Sequence, residues 1–289
     1  MASPSAVINA LSEVAERTPA GGPRARVAVV TSALSGVTDR LVRWVDRQDR
    51  SAGVGDRLLA ELRDLHWRHL GELAWGDSER LATARLGLLL DRLARLSSQT
   101  RAAGCGARVE MLATGERMAA VVFWAALSSR GLAAQVVDPG ELLAAEGSLE
   151  DAAPDVPGSR RRTAIRLGRG GPRRLVVPGF FARGRDGALR LLGRGGSDTA
   201  ASLLGAALDA TQVEIWTDVA GVYPSDPRQN PRLEPFPHLS FDAAEDLARA
   251  GAKVLHPRSV APARAAGVPL WVRNSERPEL PGTWIGAAP

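Results

Sequence analysis

The chain has 289 residues and a formal charge of +5, with 45% hydrophobic and 24% charged residues. These values are typical of globular proteins and exclude wholesale disorder and fibrous repeats. No apolar run approaches the ~20 residues that a membrane span needs, and a surplus of five charges is too small to indicate nucleic-acid binding. We therefore expect a cytoplasmic protein without membrane or nucleic-acid partners. The single cysteine, Cys105, excludes an internal disulfide and a cysteine metal cluster.

Helical and strand patterns alternate along the first half of the chain. The pattern predicts an amphipathic helix at 6–17, a buried strand at 27–30 and a helix from about Thr38. Two long helices follow at 55–75 and 77–102, and most of the apolar face of the second comes from Leu81, Leu86, Leu88, Leu89, Leu90, Leu93 and Leu96. Further on, the pattern predicts strands at 108–112 and 134–138 and a helix at 115–130.

Regular periodicity weakens over 139–174, which is rich in Pro, Gly, Asp and Arg. We place a connector at 151–174, between lobes at 1–150 and 175–289, and interpret the arginine run Arg160–Arg162 as a solvated face. After the connector the pattern predicts strands at 175–177, 189–192, 213–216 and 268–272, and helices at 197–208, 240–250 and 257–266. This alternation predicts a three-layer αβα sandwich with a mostly parallel central sheet.

The start of the pattern is unusual for such a sandwich. A first helix normally crosses between two parallel strands, yet the first predicted helix, 6–17, has no strand before it. The sequence therefore predicts a sheet whose opening strand is missing.

In parallel sheets, ligands bind beyond the carboxyl ends of the strands, so chemistry is expected at the turns from strand to helix. The turn after the strand at 27–30 carries Ser32 and Thr38, and a later one places Glu116 in the first turn of a helix. The hydroxyls suit either ligand binding or ordinary helix capping. The carboxylate suits either a ligand or the helix dipole. The residues alone leave both alternatives open.

The turn Gly193–Asp198 is the most informative. Its three glycines allow close approach of a ligand to the backbone, and the following helix start offers free N–H groups to an anion. Arg194 can hold a carboxylate through two parallel hydrogen bonds. The turn matches neither the phosphate-binding loop ending in Gly-Lys-Ser/Thr nor the dinucleotide fingerprint. A plain glycine-rich turn is the alternative.

The chain uses one lysine, Lys253, where every other basic residue is arginine. A lysine kept in such a chain suggests a position that needs a compact point charge. The four histidines lack ligand spacing with carboxylates, so we expect no metal site. His66 and His69 lie three apart on a predicted helix, and we interpret them as a surface pair.

Three long motifs resemble the aspartate kinases of the amino acid kinase family. They are the glycine turn continued by Thr199-Ala200-Ala201, the run 214–223 with Asp226-Pro227-Arg228, and the segment 251–258 around Lys253. They occur in the family's order, and the ending Val272-Arg273-Asn274 with Pro281-Gly282-Thr283 is also similar. The resemblance extends from about residue 6 to the end of the chain.

This resemblance implies a single amino acid kinase domain that transfers the γ-phosphoryl of magnesium-bound ATP to the side-chain carboxylate of L-aspartate. Arg194 would hold the substrate's α-carboxylate and Glu116 its ammonium, while Ser32 and Thr38 would orient the reacting carboxylate. Nucleotide contacts would come from Ser197, Thr217, Asp218, Tyr223, Arg228 and Lys253. Asp198 and Lys253 would be catalytic, Asp198 by ordering the basic groups and helping to place magnesium-bound ATP. A homodimer or a partner subunit is the family default.

The chain departs from the family in two respects. Its members open with a strand ending in Lys-Phe-Gly-Gly, whose lysine contacts the phosphoryl group, and no such segment is present. We also expect no regulatory ACT domain. One alternative is therefore a kinase-fold subunit or regulator that binds nucleotide or amino acid without turnover. Another is a kinase for glutamate or an acetylated amino acid.

Overall fold

The computed structural model describes residues 26–46, 52–99, 104–168, 171–225, 230, 232–250 and 255–287. The helices are α1 (Val37–Asp46), α2 (Ala52–Leu73), α3 (Gly76–Gln99), α4 (Gly104–Leu112), α5 (Thr114–Ser129), α6 (Pro139–Leu142), α7 (Val156–Leu167), α8 (Gly196–Ala207), α9 (Phe241–Arg249) and α10 (Pro257–Ala266). The strands are β1 (Val27–Thr31), β2 (Gln135–Val136), β3 (Ala144–Gly147), β4 (Ala152–Asp155), β5 (Arg174–Pro178), β6 (Phe181–Arg183), β7 (Leu189–Leu191), β8 (Val213–Thr217), β9 (His238–Leu239), β10 (Leu270–Asn274) and β11 (Thr283–Ile285).

The first sheet has the order β1-β5-β2 and is wholly parallel. Side chains alternate across its middle strand, so Val176 packs against a cluster from α2, α3 and α5 while Leu175 and Val177 pack with α8 on the other face. Helices thus cover both faces. This sheet shows directly the three layers that the alternation predicts.

The second sheet has the order β8-β10-β11-β9. Strand β8 pairs with β10 in parallel, so that Thr217 lies beside Asn274 at their carboxyl ends, and β11 runs antiparallel to β10. Its inner face, which includes Ile215 and Val272, packs in one cluster with residues of α10. The β8–β10 pairing therefore places the motif that begins at Thr217 at the edge where ligands of parallel sheets bind.

The third sheet, β4-β3-β6-β7, corrects the interpretation of 139–174 as irregular. The hairpin β3–β4, the helix α7 and the short helix α6 all fall in that stretch. The Asp and Pro residues of this stretch suggested loops, but they lie at helix starts. Asp138 and Asp155 are the N-caps of α6 and α7. Pro139 and Pro157 occupy the first turns of these helices, where proline is compatible with a helix. The described strands form three sheets: the first is parallel and the second mostly parallel, whereas the third pairs β3 with β4 and β6 with β7 in antiparallel fashion. The division into lobes stays a prediction.

Residues 108–112 are helical, and the strand predicted there is wrong. They end α4, whose Val109 and Leu112 lie three residues apart on one face and are buried against Leu41 and Leu93. The alternation of apolar and polar residues resembled a strand. Burial of this segment against α1 and α3 instead favours a helix, because a helix places Val109 and Leu112 on the same face.

Two further expectations about burial need correction. His66 is fully buried, with Nδ1 donating to the Leu62 carbonyl at 2.7 Å, so His66 and His69 do not form a surface pair. Desolvation lowers the pKa of His66 from 6.5 to about 4. Leu81 and Leu88 are exposed, whereas Leu86 and Leu93 are fully buried and place α3 against the core.

The arginine run is also more than a solvated face. Arg160 and Arg161 are exposed, but Arg162 is half-buried and donates to four main-chain carbonyls. The predicted helix 6–17 and the missing opening strand concern chain outside the described residues. No described helix combines the length and the apolar character required to cross a bilayer.

Candidate active site

The turn Gly193–Asp198 follows β7 and leads into α8. Gly193 and Gly195 have φ of 73° and 65°, in the left-handed region that favours glycine. A Cβ atom at Gly195 would lie 2.7 Å from the His256 Cβ, and one at Gly196 would lie 2.7 Å from the Phe180 ring. The glycines therefore let the start of α10 and the segment after β5 approach the turn closely.

A cavity of about 530 Å³ lies beside this turn. It gathers the predicted site residues Ser32, Thr38, Glu116, Arg194, Ser197 and Asp198. They come from the turn after β1, from α1, from the start of α5 and from the glycine turn. The structure thus brings together the residues that the resemblance assigns to the amino acid, together with Ser197 and Asp198.

Glu116 is the most buried charged group of the cavity. Its side chain lies in the first turn of α5 and is 3% exposed. Burial raises its pKa from 4.5 to about 7, although the backbone N–H groups of Glu116 and Ala33 and the Thr38 hydroxyl partly offset this. Within the described residues its Oε2 accepts no hydrogen bond. One oxygen of the carboxylate is therefore buried without a donor from the described part of the chain, and it can accept one from a ligand.

Close packing places Glu116 beside Thr38. A Cβ atom at Gly115 would lie 2.9 Å from Val37 Cγ1 and 3.0 Å from the Ala33 Cβ, so the start of α5 presses against the turn after β1. Glycine is needed here for close approach, since no positive φ is involved. The contact accounts for the Thr38 hydrogen bond to the Glu116 carboxylate.

Asp198 is the second perturbed carboxyl group. It lies in the first turn of α8, and burial raises its pKa from 3.8 to about 6. A raised pKa in a cavity marks a group whose charge is costly without a ligand. Glu116 and Asp198 are therefore two carboxyl groups that titrate close to neutral pH in one cavity.

Arg194 supplies positive charge at the same cavity. Its side chain is exposed, and the described part of the chain offers it no ion pair. The glycine turn also directs the first N–H groups of α8 to this region, where the helix dipole favours an anion. Arg194 and Glu116 are a cation and a buried carboxylate of one cavity, an arrangement that suits the two charged groups of an amino acid.

The remaining predicted residues do not line this cavity. Thr217, Asp218 and Tyr223 lie at or after the carboxyl end of β8. There the Thr217 carbonyl accepts from the Ser275 backbone N–H at 2.8 Å, and the Asp218 carbonyl accepts from Asn274 at 3.4 Å. Arg228 and Lys253 lie outside the described residues.

The sequence analysis missed several residues that line the cavity, among them Arg108, Glu150 and Phe180. Phe180 adopts φ of 72°, which is rare for a non-glycine residue. The signal for Phe180 was available, because Gly179-Phe180 follows the carboxyl end of β5. No sequence signal marked Arg108 or Glu150. Arg108 lies on a helix that the pattern predicted as a strand, and Glu150 lies in the stretch 139–174, which was interpreted as irregular.

Metal ligands are not clustered at the site. In the described ranges no group of three or more His, Cys, Asp or Glu side chains is arranged to hold a metal ion.

Comparison with known proteins settles the family. The sequence pattern of the amino acid kinase family matches residues 1–274. The chain belongs to the amino acid kinase family. The lysine-sensitive aspartokinase 3 of Escherichia coli is 31% identical over 261 residues, which cover 89% of this chain and 57% of that protein. An aspartokinase of Chlamydia pneumoniae is 32% identical over 260 residues, which cover 90% of this chain and 56% of that protein.

Solved structures of the amino acid kinase family agree with this assignment. Escherichia coli aspartokinase III in complex with aspartate and ADP superposes with a TM-score of 0.87 at 28% identity, covering 98% of this chain and 61% of that one. The three-layer fold with mostly parallel sheets is therefore confirmed. The chain spans less than two thirds of the length of these relatives.

Proposed function

We propose that this amino acid kinase is an aspartate kinase, which converts ATP and L-aspartate to 4-phospho-L-aspartate and ADP. One observation carries the proposal: Glu116 and Arg194, a buried carboxylate and an exposed guanidinium, line one cavity beside a helix start. The similarity to an aspartokinase that was crystallised with aspartate and ADP supports this substrate pair.

In this proposal the cavity holds the amino acid by its charges. Arg194 binds the α-carboxylate, and Glu116 accepts hydrogen bonds from the ammonium group. Ser32 and Thr38 orient the side-chain carboxylate. The raised pKa of Glu116 fits this role, because an ammonium group beside it would favour the ionised form.

The nucleotide enters as magnesium-bound ATP. Thr217, Asp218 and Tyr223 contact the adenosine, and Ser197, Arg228 and Lys253 contact the phosphates. Asp198 orders the basic groups. A carboxylate oxygen of aspartate attacks the γ-phosphorus, and the bond from that phosphorus to the bridging oxygen breaks, leaving ADP. Positioning and charge neutralisation supply most of the acceleration in such a transfer.

The test is to incubate the purified chain with ATP, magnesium and L-aspartate and to trap the acyl phosphate as a hydroxamate. We expect hydroxamate to form with L-aspartate and to stay at background with L-glutamate or N-acetylglutamate. ADP binding is measured separately by calorimetry. Bound ADP without hydroxamate would contradict the enzyme and favour a subunit or regulator that binds without turnover.

Two accompanying expectations remain predictions. They are a cytoplasmic location and assembly as a homodimer or with a partner subunit. Sedimentation of the purified chain tests the second.

A further inference from the structure

A short turn joins β3 to β4 at the edge of the cavity. We call Ser148–Asp151 the bridging turn. It is ordered internally by the Asp151 backbone N–H, which donates to Ser148 Oγ at 3.1 Å. The Leu191 backbone N–H donates to the Leu149 carbonyl at 2.8 Å, and the Leu149 side chain packs with the cluster that contains Leu191. The turn is therefore fixed beside the strand that leads into the glycine turn.

Its two carboxylates reach toward different parts of the molecule. Glu150 lines the cavity and pairs with Arg108 of α4, whose Nε lies 2.9 Å from Glu150 Oε1. Asp151 forms a two-pronged ion pair with Arg258 of α10, in which Nη2 and Oδ2 are 3.0 Å apart. The bridging turn thus links the helix behind the amino acid cavity to the start of α10.

The pair of Asp151 and Arg258 lies directly on the glycine turn. A Cβ atom at Gly193 would clash with the Asp151 carboxylate and lie 3.2 Å from Arg258 Nη1. Two residues before Arg258, His256 caps α10 by accepting from the Arg258 backbone N–H at 3.3 Å, and its Cβ packs on Gly195. Three segments therefore meet here: the bridging turn, the glycine turn and the start of α10.

Stability alone does not account for this pair. Its side chains are 39% and 58% exposed, and ion pairs so accessible to water contribute little to folding. Arg258 also lies in the first turn of α10, where the helix dipole disfavours a cation. The geometry instead suits a role in holding one element against another.

We propose that Asp151 and Arg258 are positioning residues that hold the start of α10 against the glycine turn for phosphoryl transfer. This inference rests on the proposed function, because Arg194, Ser197 and Asp198 of the glycine turn are its substrate-contacting and catalytic groups. A displacement of about 1 Å between such elements can lower a rate by as much as 10²-fold. Neither residue contacts the reacting atoms in this proposal.

The test compares Asp151→Ala, Arg258→Ala and the exchanged pair Asp151→Arg with Arg258→Asp. Each single variant should lower kcat by about 5- to 50-fold. Their KM values should change less than about 3-fold, and their melting temperatures by less than about 2 °C. The exchanged pair restores the attraction and places a favourable carboxylate in the first turn of α10, so it should recover most of the lost rate. Unchanged kcat in both single variants would overturn the proposal.

Glu146→Gln is the matched control. Glu146 lies on the same hairpin and pairs with Arg185 at 3.0 Å, with side chains 56% and 75% exposed, but neither residue lines the cavity. This variant should keep the wild-type kcat. An equal loss in Glu146→Gln would show that any disturbance of the hairpin suffices, and would also overturn the specific role.

A readout independent of turnover separates this proposal from the proposed function. Hydrogen exchange of the amides in the first two turns of α10 should be faster in Asp151→Ala than in wild type or Glu146→Gln. If the wild-type chain forms no hydroxamate, the proposed function fails, and faster exchange still supports the holding contact. If the wild-type chain is active but Asp151→Ala does not change the exchange of the α10 amides, the holding role is refuted and the proposed function stands.

Discussion

Buried charge is handled differently in two regions of this molecule. Arg162 of α7 donates to the carbonyls of Gly140, Leu143, Arg183 and Gly184, at 2.9–3.1 Å. In the cavity, Glu116 is almost fully buried, yet its Oε2 has no hydrogen-bond donor among the described residues. The first charge is satisfied by the protein itself. The second is satisfied in part, by two backbone N–H groups and the Thr38 hydroxyl, and its Oε2 is open to a ligand.

The difference separates a structural charge from a functional one. The Arg162 carbonyls belong to α6, the loop after it and the segment around β6, so the guanidinium joins elements that are distant in sequence. The cavity instead keeps two carboxyl groups with raised pKa values, Glu116 and Asp198. Such groups cost stability in the free protein and gain it back when a cation binds. Three substitutions test this contrast.

Arg194→Met should have the largest effect of the three substitutions, and it should lower activity without changing stability. Loss of a two-pronged contact to the substrate carboxylate should lower kcat/KM for L-aspartate by about 10²–10³-fold. The melting temperature should stay within about 1 °C, because Arg194 is exposed and unpaired within the described residues. The hydroxamate assay and thermal unfolding measure the two quantities. Arg161→Met, at an exposed arginine outside the cavity, serves as the control.

Arg162→Met should have the next largest effect, and on stability. It removes one donor from four carbonyls, of which those of Leu143 and Gly184 keep the backbone N–H groups of Arg183 and Gly187, and should lower the free energy of unfolding by about 1–3 kcal/mol. Urea unfolding followed by circular dichroism measures this loss. The neighbouring Arg161→Met should change stability by less than about 0.5 kcal/mol. Equal losses in the two variants would show that Arg162 contributes no more than an ordinary surface arginine.

Glu116→Gln should reduce activity and raise stability. Because burial raises the pKa of Glu116 from 4.5 to about 7, the folded chain binds its proton more tightly than the unfolded chain. Stability therefore declines as pH rises between these values, by up to about 3 kcal/mol. Glutamine removes this cost, so the variant should be about 1–3 kcal/mol more stable than wild type at pH 8 and equal to it at pH 4.

Urea unfolding at both pH values checks the sign of the Glu116 effect. Glu72→Gln, at an exposed position of α2, should leave stability unchanged at either pH. A Glu116→Gln variant that is less stable than wild type at pH 8 would mean that the hydrogen bonds from Thr38 and the two backbone N–H groups outweigh the cost of burying this carboxylate. The contrast with Arg162 would then disappear.

Much of the fold could be predicted from the local pattern. The continuous apolar runs of β1 and β5 indicated strands buried on both faces, and the long apolar stripes of α2, α3 and α5 indicated helices. The predictions failed where local signals conflict with long-range contacts. Residues 108–112 alternate like a strand, but burial against α1 and α3 makes them helical.

The site could be predicted in part, for a similar reason. Glycines, hydroxyls and charged residues at strand ends indicated Ser32, Thr38, Glu116, Arg194, Ser197 and Asp198, which the structure gathers in one cavity. Arg108 and Glu150 were missed because each has an ordinary local setting. Their role at the cavity arises only when α4 and the bridging turn meet across it.

The sequence by itself determined the family, the alternation of strands and helices, and the chemical types of the residues at the glycine turn. Those features depend on neighbours within a few positions, where backbone sterics and side-chain periodicity act. Only the tertiary structure decided that the Glu116 Oε2 is buried without a donor among the described residues and that Arg162 is satisfied. Burial and pairing depend on segments far apart in the chain. Desolvation by such segments raises the pKa of Glu116, and carbonyls from such segments accept the hydrogen bonds of Arg162.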